Sequence, residues 1–390
     1  MIINDMPSIA IIGTGRLGIC TALILEKAGY NIDCYDVNDS VIKALNSKEI
    51  ISHEKNVSSL LANSKNIVGY TSMKDIMHNS IFFCIVATPS KDDGSYNHDH
   101  VNNVVDEMLS LLPQYPGKKL LNICCTTMPG FCESVQEKFK EFDVDVCYNP
   151  EFIAQGDILH GFTHPDIVLV GETSKEAGDT LEAIYKNIIE TSPTYCRMSL
   201  TEAEITKISI NCFITNKISF ANMIGDLCVS KGLRPENVLK AISSDSRVGR
   251  KYFTWGHGYG GPCFPRDNRA LSFYFNKQGL QNLIGESTDT INKKHIEFLA
   301  RKLREKKAQL NKQFLFRSLA YKPGTTILEE SQSLHLALYL KNGGDIVYIQ
   351  ESDVIVKQLK STYSDAFVYL DDNIDESKYI IVDNTLECIL

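Results

Sequence analysis

The sequence predicts an α/β protein: two domains built on mainly parallel sheets and joined by a long central helix. Three observations predict it. Short apolar strands alternate with helical stretches over roughly the first half of the chain, an unbroken helical stretch opens at Thr201, and the alternation returns at Gln313.

The elements follow in order. Ser8–Ile12 is a short apolar run leading into glycines, Arg16–Ala28 reads as a helix, and Asn31–Tyr35 as the next strand. Further strands are expected at Ile67–Tyr70, Ile81–Val86, Lys119–Cys124 and Val144–Cys147, with helices between them. Thr201-Glu202-Ala203-Glu204 has the capping-box pattern, with Thr201 as N-cap and Glu204 reaching back. The helix it opens runs to about Lys231 and would be roughly 45 Å long. A glycine-rich stretch, Gly249–Gly261, interrupts the helices that follow, and a charged helix covers Ile284–Lys307. Strands then return at Phe314–Ala320, Ile346–Ile349, Phe367–Leu370 and Tyr379–Val382. The expected domains are 1–200, 201–308 (helical connector) and 309–390.

Composition narrows the function. The 390 residues are 43% hydrophobic and 23% charged, as in a globular protein, and too many for one ordinary domain. The formal charge of −8 is spread along the chain, which argues against a nucleic-acid partner. No apolar run approaches the length of a membrane helix, and the N-terminus lacks the parts of a signal peptide. The twelve cysteines have neither C-x-x-C nor zinc spacing, so no metal site is expected. Thiols inside apolar runs, such as Cys20, Cys84 and Cys124, suit a reducing cytoplasm.

Gly13-Thr14-Gly15-Arg16-Leu17-Gly18 follows a strand, opens a helix, and is followed at the next strand end by Asp36. That context makes G-x-G-x-x-G a dinucleotide signature. Gly13 permits the turn, Gly15 admits the pyrophosphate, Gly18 lets the helix pack, and Asp36 accepts from ribose hydroxyls while repelling a 2′-phosphate. NAD is therefore expected; a glycine turn without a ligand is the bland alternative. Val86-Ala87-Thr88 closes another strand at the same sheet edge, where Val86 and Thr88 are expected to meet the cofactor; a plain strand-to-loop turn is the alternative.

Gly258-Tyr259-Gly260-Gly261-Pro262-Cys263-Phe264-Pro265-Arg266-Asp267 is a rigid loop presenting a cysteine, with a helix expected to begin near Asp267. A helix N-terminus and a neighbouring Arg266 lower a thiol's pKa, and a thiolate is what attack on an aldehyde requires. A packing role, as for most of the other cysteines, is the alternative. Lys207 and Asn211 lie four apart on the long helix, where they either donate to an oxyanion or form a solvated face. Glu151, in Asn149-Pro150-Glu151-Phe152-Ile153-Ala154-Gln155-Gly156, either activates a water or is simply solvated. Thr127, in Thr126-Thr127-Met128-Pro129, sits at a strand end suited to orienting a water or a hydroxyl.

GTGRLG, VATPS, TTMPG, NPEFIAQG, AEITKISINCFITNKISFAN, DSRVG, GYGGPCFPRD and LAYKPGT, in this order, resemble the UDP-glucose/GDP-mannose dehydrogenase family, most closely its UDP-glucose 6-dehydrogenase members. The resemblance spans nearly the whole chain. It implies two Rossmann-like domains joined by a long helix that also forms a dimer interface, and NAD-dependent oxidation of a nucleotide sugar, UDP-glucose to UDP-glucuronate, in two hydride transfers. Cys263 matches the cysteine that carries the thiohemiacetal and thioester, and Lys207, Asn211 and Asp267 the polar groups around C6. Glu151 matches the proton-transfer carboxylate, and Thr127 the threonine near the water and the cofactor. Glu151, Phe152, Ile153, Gly258, Tyr259, Gly260, Tyr252, Tyr321 and Lys322 match substrate contacts. Arg247 matches an arginine reaching the neighbouring subunit's sugar, which implies a homodimer or a higher oligomer.

Three positions depart from the pattern. Gln155 stands where many members have a second glutamate. Arg266, among the cofactor contacts, replaces a lysine. Glu329 replaces an arginine that contacts NAD. Rival readings are the same reaction on GDP-mannose or a UDP-N-acetylhexosamine, and a non-catalytic protein that binds NAD or a nucleotide sugar.

Overall fold

A computed structural model describes residues 8–390 apart from 53, 154, 155, 365, 372 and 373, so Gln155 lies outside the described residues. The chain divides into two compact units, residues 1–208 and 209–390.

The first unit contains β1 (Ser8–Ile12), α1 (Arg16–Lys27), β2 (Asn31–Tyr35), α2 (Asp39–Ser47), α3 (Val57–Asn63), β3 (Ile67–Tyr70), β4 (Ile81–Cys84) and α4 (Asp99–Leu111). It continues with β5 (Lys119–Ile123), α5 (Phe131–Lys138), β6 (Val144–Tyr148), α6 (Ile158–Thr163), β7 (Ile167–Glu172), α7 (Lys175–Ile188) and β8 (Thr194–Met198). The strands form one eight-stranded sheet in the order β3-β2-β1-β4-β5-β6-β7-β8. Its described pairings are parallel except β6–β7, where Cys147 faces Glu172 and Tyr148 faces Gly171. Apart from the edge strands β3 and β8, the strands are almost wholly buried because helices cover both faces. One core packs Ile9, Ile11, Leu25 and Leu181; the other packs Ala10, Ile12, Phe82 and Val105. Alternate residues of β1 thus face opposite cores.

Strands β7 and β8 are absent from the expected elements. β7 runs against its neighbour, and β8 is a half-buried edge strand, so neither continues the regular parallel rhythm.

Helix α8 (Leu200–Ser230) is 31 residues long, and the unit boundary falls within it. Its predicted cap is corrected. The reciprocal contacts belong to Ser199 and Glu202: Ser199 N and Oγ both donate to Glu202 Oε2, at 2.9 and 2.6 Å. Glu204 is instead fully buried and bonded elsewhere, and Thr201 Oγ1 is buried without a hydrogen-bond partner.

In the second unit, α9 (Pro235–Ser243), α10 (Phe264–Lys277) and α11 (Leu283–Leu310) precede β9 (Gln313–Phe316). There follow α12 (Gln332–Asn342), β10 (Val347–Ile349), α13 (Asp353–Tyr363), β11 (Val368–Tyr369) and β12 (Tyr379–Val382). The strands make a four-stranded parallel sheet, β11-β10-β9-β12, over a core of Leu299, Phe314, Leu336 and Ile349. Helix α10 starts at Phe264, three residues before the expected point, because Pro265 is tolerated in the first turn, where its missing N–H costs no bond. Among the described residues, no helix is long and apolar enough to cross a membrane.

Candidate active site

In the first unit, β1 lies between β2 and β4, so the strand order reverses beside it; ligands of open α/β sheets bind at such a crevice. Gly13 has φ +95°, and a Cβ there would sit 2.4 Å from the Ile85 carbonyl oxygen. A Cβ on Gly18 would sit 1.9 Å from the Gly13 carbonyl oxygen, so helix and turn touch through glycine alone. Around Gly15 a Cβ would meet nothing within 4 Å. Gly15 is also the N-cap of α1 and supplies no side chain, and Arg16 beside it is exposed with Leu17 half-buried. An open space before uncapped N–H groups fits the pyrophosphate of NAD. Asp36 Oδ2 accepts from Thr14 N (2.8 Å) and Thr14 Oγ1 (3.0 Å), while Oδ1 accepts from Asn38 N. The carboxylate is thereby held at the end of β2. Thr88 is buried beyond β4 and donates to the Thr126 carbonyl at 2.8 Å; Val86 is half-buried.

Beyond β5, Thr127 is fully buried and donates to Glu204 Oε1 at 2.7 Å. Glu204 also accepts from Cys132 N (2.9 Å) and Gly130 N (2.6 Å). It thus caps α5, whose own N-cap, Gly130, has no side chain. Burial raises the Glu204 pKa, opposed by these donors. Because Thr127 has given its one proton to Glu204, its oxygen can act toward a water only as an acceptor.

Beyond β6, Glu151 Oε1 accepts from the Tyr185 hydroxyl at 2.8 Å. Burial pushes the Glu151 carboxyl up to about 7, against the opposing pull of Tyr185 and Lys207. Lys207 is buried, donates to the Glu151 carbonyl oxygen at 2.6 Å, and places its ammonium 4.2 Å from the centre of the Phe152 ring. It is not on a solvated face. Ile153 packs against Gly161.

Across both units no disulfide pairs any cysteine. Of the twelve, eight are buried, three intermediate, and Cys263 alone is exposed. Cys263 is the N-cap of α10, where the helix dipole favours a thiolate. Four residues on, Asp267 is fully buried and accepts from Asn211 Nδ2 at 2.6 Å and Arg266 Nε at 3.1 Å. The loop before Cys263 is clamped to α11: Asn292 accepts from Tyr259 N and donates to Tyr259 O, each at 3.0 Å. The buried Tyr259 hydroxyl donates to Asp289, so this side chain faces inward. A Cβ on Gly258 would strike Asn292, one on Gly260 the Glu330 carbonyl, and one on Gly261 the Tyr321 ring. The LAYKPGT segment, including half-buried Lys322, is thereby packed on the cysteine loop. Tyr252 is half-exposed at φ +60°, and Arg247 is exposed and paired with Asp245 at 2.7 Å. The Tyr252 ring packs edge-on against that of Phe264, beside Cys263, with centroids 6.2 Å apart, whereas the Arg247 guanidinium points to its own turn through Asp245. Glu329 is exposed; its neighbour Glu330 pairs with Arg269.

The sequence reading missed Tyr185, Glu204, Asn292 and Asp289. In sequence Glu204 reads as part of the cap of α8, and the others carry no pattern that sets them apart from ordinary polar helix residues.

Two family models match this chain: the NAD binding domain of the UDP-glucose/GDP-mannose dehydrogenase family over residues 7–189, and its central domain over 201–294. A UDP-glucose 6-dehydrogenase of Pseudomonas aeruginosa is 30% identical over 347 residues, covering 84% of this chain and 75% of its own length. Among solved structures, a UDP-glucose dehydrogenase from Pyrobaculum islandicum superposes with a TM-score of 0.86 at 25% identity, over 98% of this chain and 96% of its own. A UDP-D-ManNAc dehydrogenase from Pyrococcus horikoshii shares the fold, with a TM-score of 0.79 at 22% identity, covering 97% and 95%.

Proposed function

We propose a specific reaction for a chain that belongs to the UDP-glucose/GDP-mannose dehydrogenase family: four-electron oxidation of UDP-glucose at C6 to UDP-glucuronate. NAD-dependent oxidation of a nucleotide sugar is the family's chemistry, and the choice of UDP-glucose leans on the Pseudomonas relative. The observation that carries the cysteine route is the exposure of Cys263 at a helix N-terminus, while the other thiols are wholly or partly shielded.

The Gly13–Gly18 turn and Asp36 would hold NAD, which would accept one hydride per molecule, so that two NAD are consumed for the two oxidations. Cys263 Sγ adds to the C6 aldehyde as a thiolate and forms the C–S bond that becomes the thioester. Lys207 and Asn211 donate hydrogen bonds to the oxyanion of each tetrahedral stage. Thr127 orients the hydrolytic water by accepting one of its hydrogen bonds. Glu151 takes the other proton as the water attacks, and a carboxyl with a pKa of about 7 suits that task near neutrality. The C–S bond then breaks, returning the thiolate of Cys263. Asp267, held by Asn211 and Arg266, fixes Asn211.

The partner we assign is a second copy of the chain. Phe213, Phe220 and Leu227 recur every seven residues on α8 and are 65%, 42% and 58% exposed, with Met223 beside them. The reduced thiols suit a cytoplasmic setting.

NADH formed per sugar consumed tests the reaction, with UDP-glucose, UDP-N-acetylhexosamines and GDP-mannose as the panel. The expected outcome is two NADH per UDP-glucose, abolished in Cys263→Ser. A ratio of two with another sugar replaces the substrate; no NADH from any sugar defeats the catalytic reading.

A further inference from the structure

Glu151 sits against a cavity of about 80 Å³ whose walls mix polar groups with apolar side chains, among them Phe152, Phe162, Ile167 and Leu169. Within it the hydroxyl of Tyr185, from α7, is fixed at 2.8 Å on one carboxylate oxygen. Tyr185 is itself 4% exposed, and the buried side chain of Asn149 lies beside its phenol. Asn149 is anchored by donating to the Leu169 carbonyl at 2.8 Å. A chain of buried groups therefore ends on Glu151 Oε1.

We propose that Tyr185 is a positioning residue for the hydrolytic half of the reaction: it holds Oε1 of Glu151 so that the other carboxylate oxygen is the one presented to water. The proposal rests on the reading of Glu151 as the base. The phenol suits the role, because burial and the adjoining carboxylate push its pKa well above the ordinary value. It stays a donor at any pH at which the enzyme works. The other groups facing Glu151 are the Lys207 ammonium from α8, the Cys124 thiol beyond β5, and Asp166 before β7 in the cavity wall. Burial raises the carboxyl's pKa, and Tyr185 and Lys207 lower it in opposition. Losing the Tyr185 hydrogen bond must therefore raise it further.

The test is the pH profile of kcat for the full-length enzyme with UDP-glucose and NAD, together with the covalent acyl–Cys263 adduct read by intact mass. Wild-type activity is expected to fall through an acid limb near pH 7 as Glu151 is protonated. In Tyr185→Phe the limb should move up by about one unit, lowering kcat about tenfold below neutrality while approaching wild type in alkali. The adduct should accumulate where kcat is low. Replacing Tyr185 by 3-fluorotyrosine, a better donor of the same size, should move the limb the other way. A uniform loss across pH, or a limb that stays put in both variants, overturns the proposal. Glu151→Gln separates this from failure of the underlying reading: loss of the acid limb supports Glu151 as the base, whereas a wild-type limb in that variant removes both.

Discussion

At the residue scale, Glu204 shows how two roles compete for one motif. Ser199-Leu200-Thr201-Glu202 and Thr201-Glu202-Ala203-Glu204 both satisfy the capping pattern, and they overlap. Only the partners beyond β5, namely Thr127, Gly130 and Cys132, decide which glutamate caps α8 and which is drawn inward. In Glu204→Gln one acceptor oxygen becomes a donor, so a buried N–H or the Thr127 hydroxyl is left facing it. The variant should lose about 2 kcal/mol in urea unfolding. Its kcat should fall about tenfold, because a rotating Thr127 no longer fixes the water. Wild-type kcat in a destabilised variant would make Glu204 a purely structural cap. Cys263 and the glycine turn, in contrast, were legible because loop rigidity and backbone freedom are written in glycine and proline. Tyr185 and Asn292 were not: their meaning lies in what stands opposite them.

At the element scale, the glycine turn separates two functions that sequence alone runs together. Gly18→Ala places a methyl group 1.9 Å from a backbone oxygen, and α1 must move; about 2 kcal/mol of stability should go with it. Gly15→Ala meets nothing within 4 Å and keeps an ordinary extended conformation. It should melt like wild type yet raise KM for NAD about tenfold, since the methyl stands where the pyrophosphate approaches. Equal losses of stability in the two variants would refute the distinction. Strands β1 to β6 were readable because they are apolar and bounded by turn residues. β7 escaped because strand direction has no signature in composition.

At the scale of the whole molecule, the α/β, helix, α/β layout was legible from the return of strand alternation at Gln313, while the unit boundary within α8 was not, since a helix has no seam. The apolar stripe on α8 carries the prediction about assembly. Phe213→Glu with Phe220→Glu should convert a dimer into a monomer of half the mass by light scattering, with the far-ultraviolet circular dichroism retained. A wild-type protein that is already monomeric would refute the dimer.

On the proposal that Cys263 is the nucleophile, its exposure has a cost outside catalysis. A thiolate open to an aldehyde is equally open to peroxide, and susceptibility to oxidation follows thiolate character and access. The first lesion expected is a sulfenic acid at Cys263, since eight sister thiols are buried. On that reading oxidative stress should silence the enzyme before it unfolds it, and a small-molecule reductant should restore it until the sulfur passes to the sulfinic state.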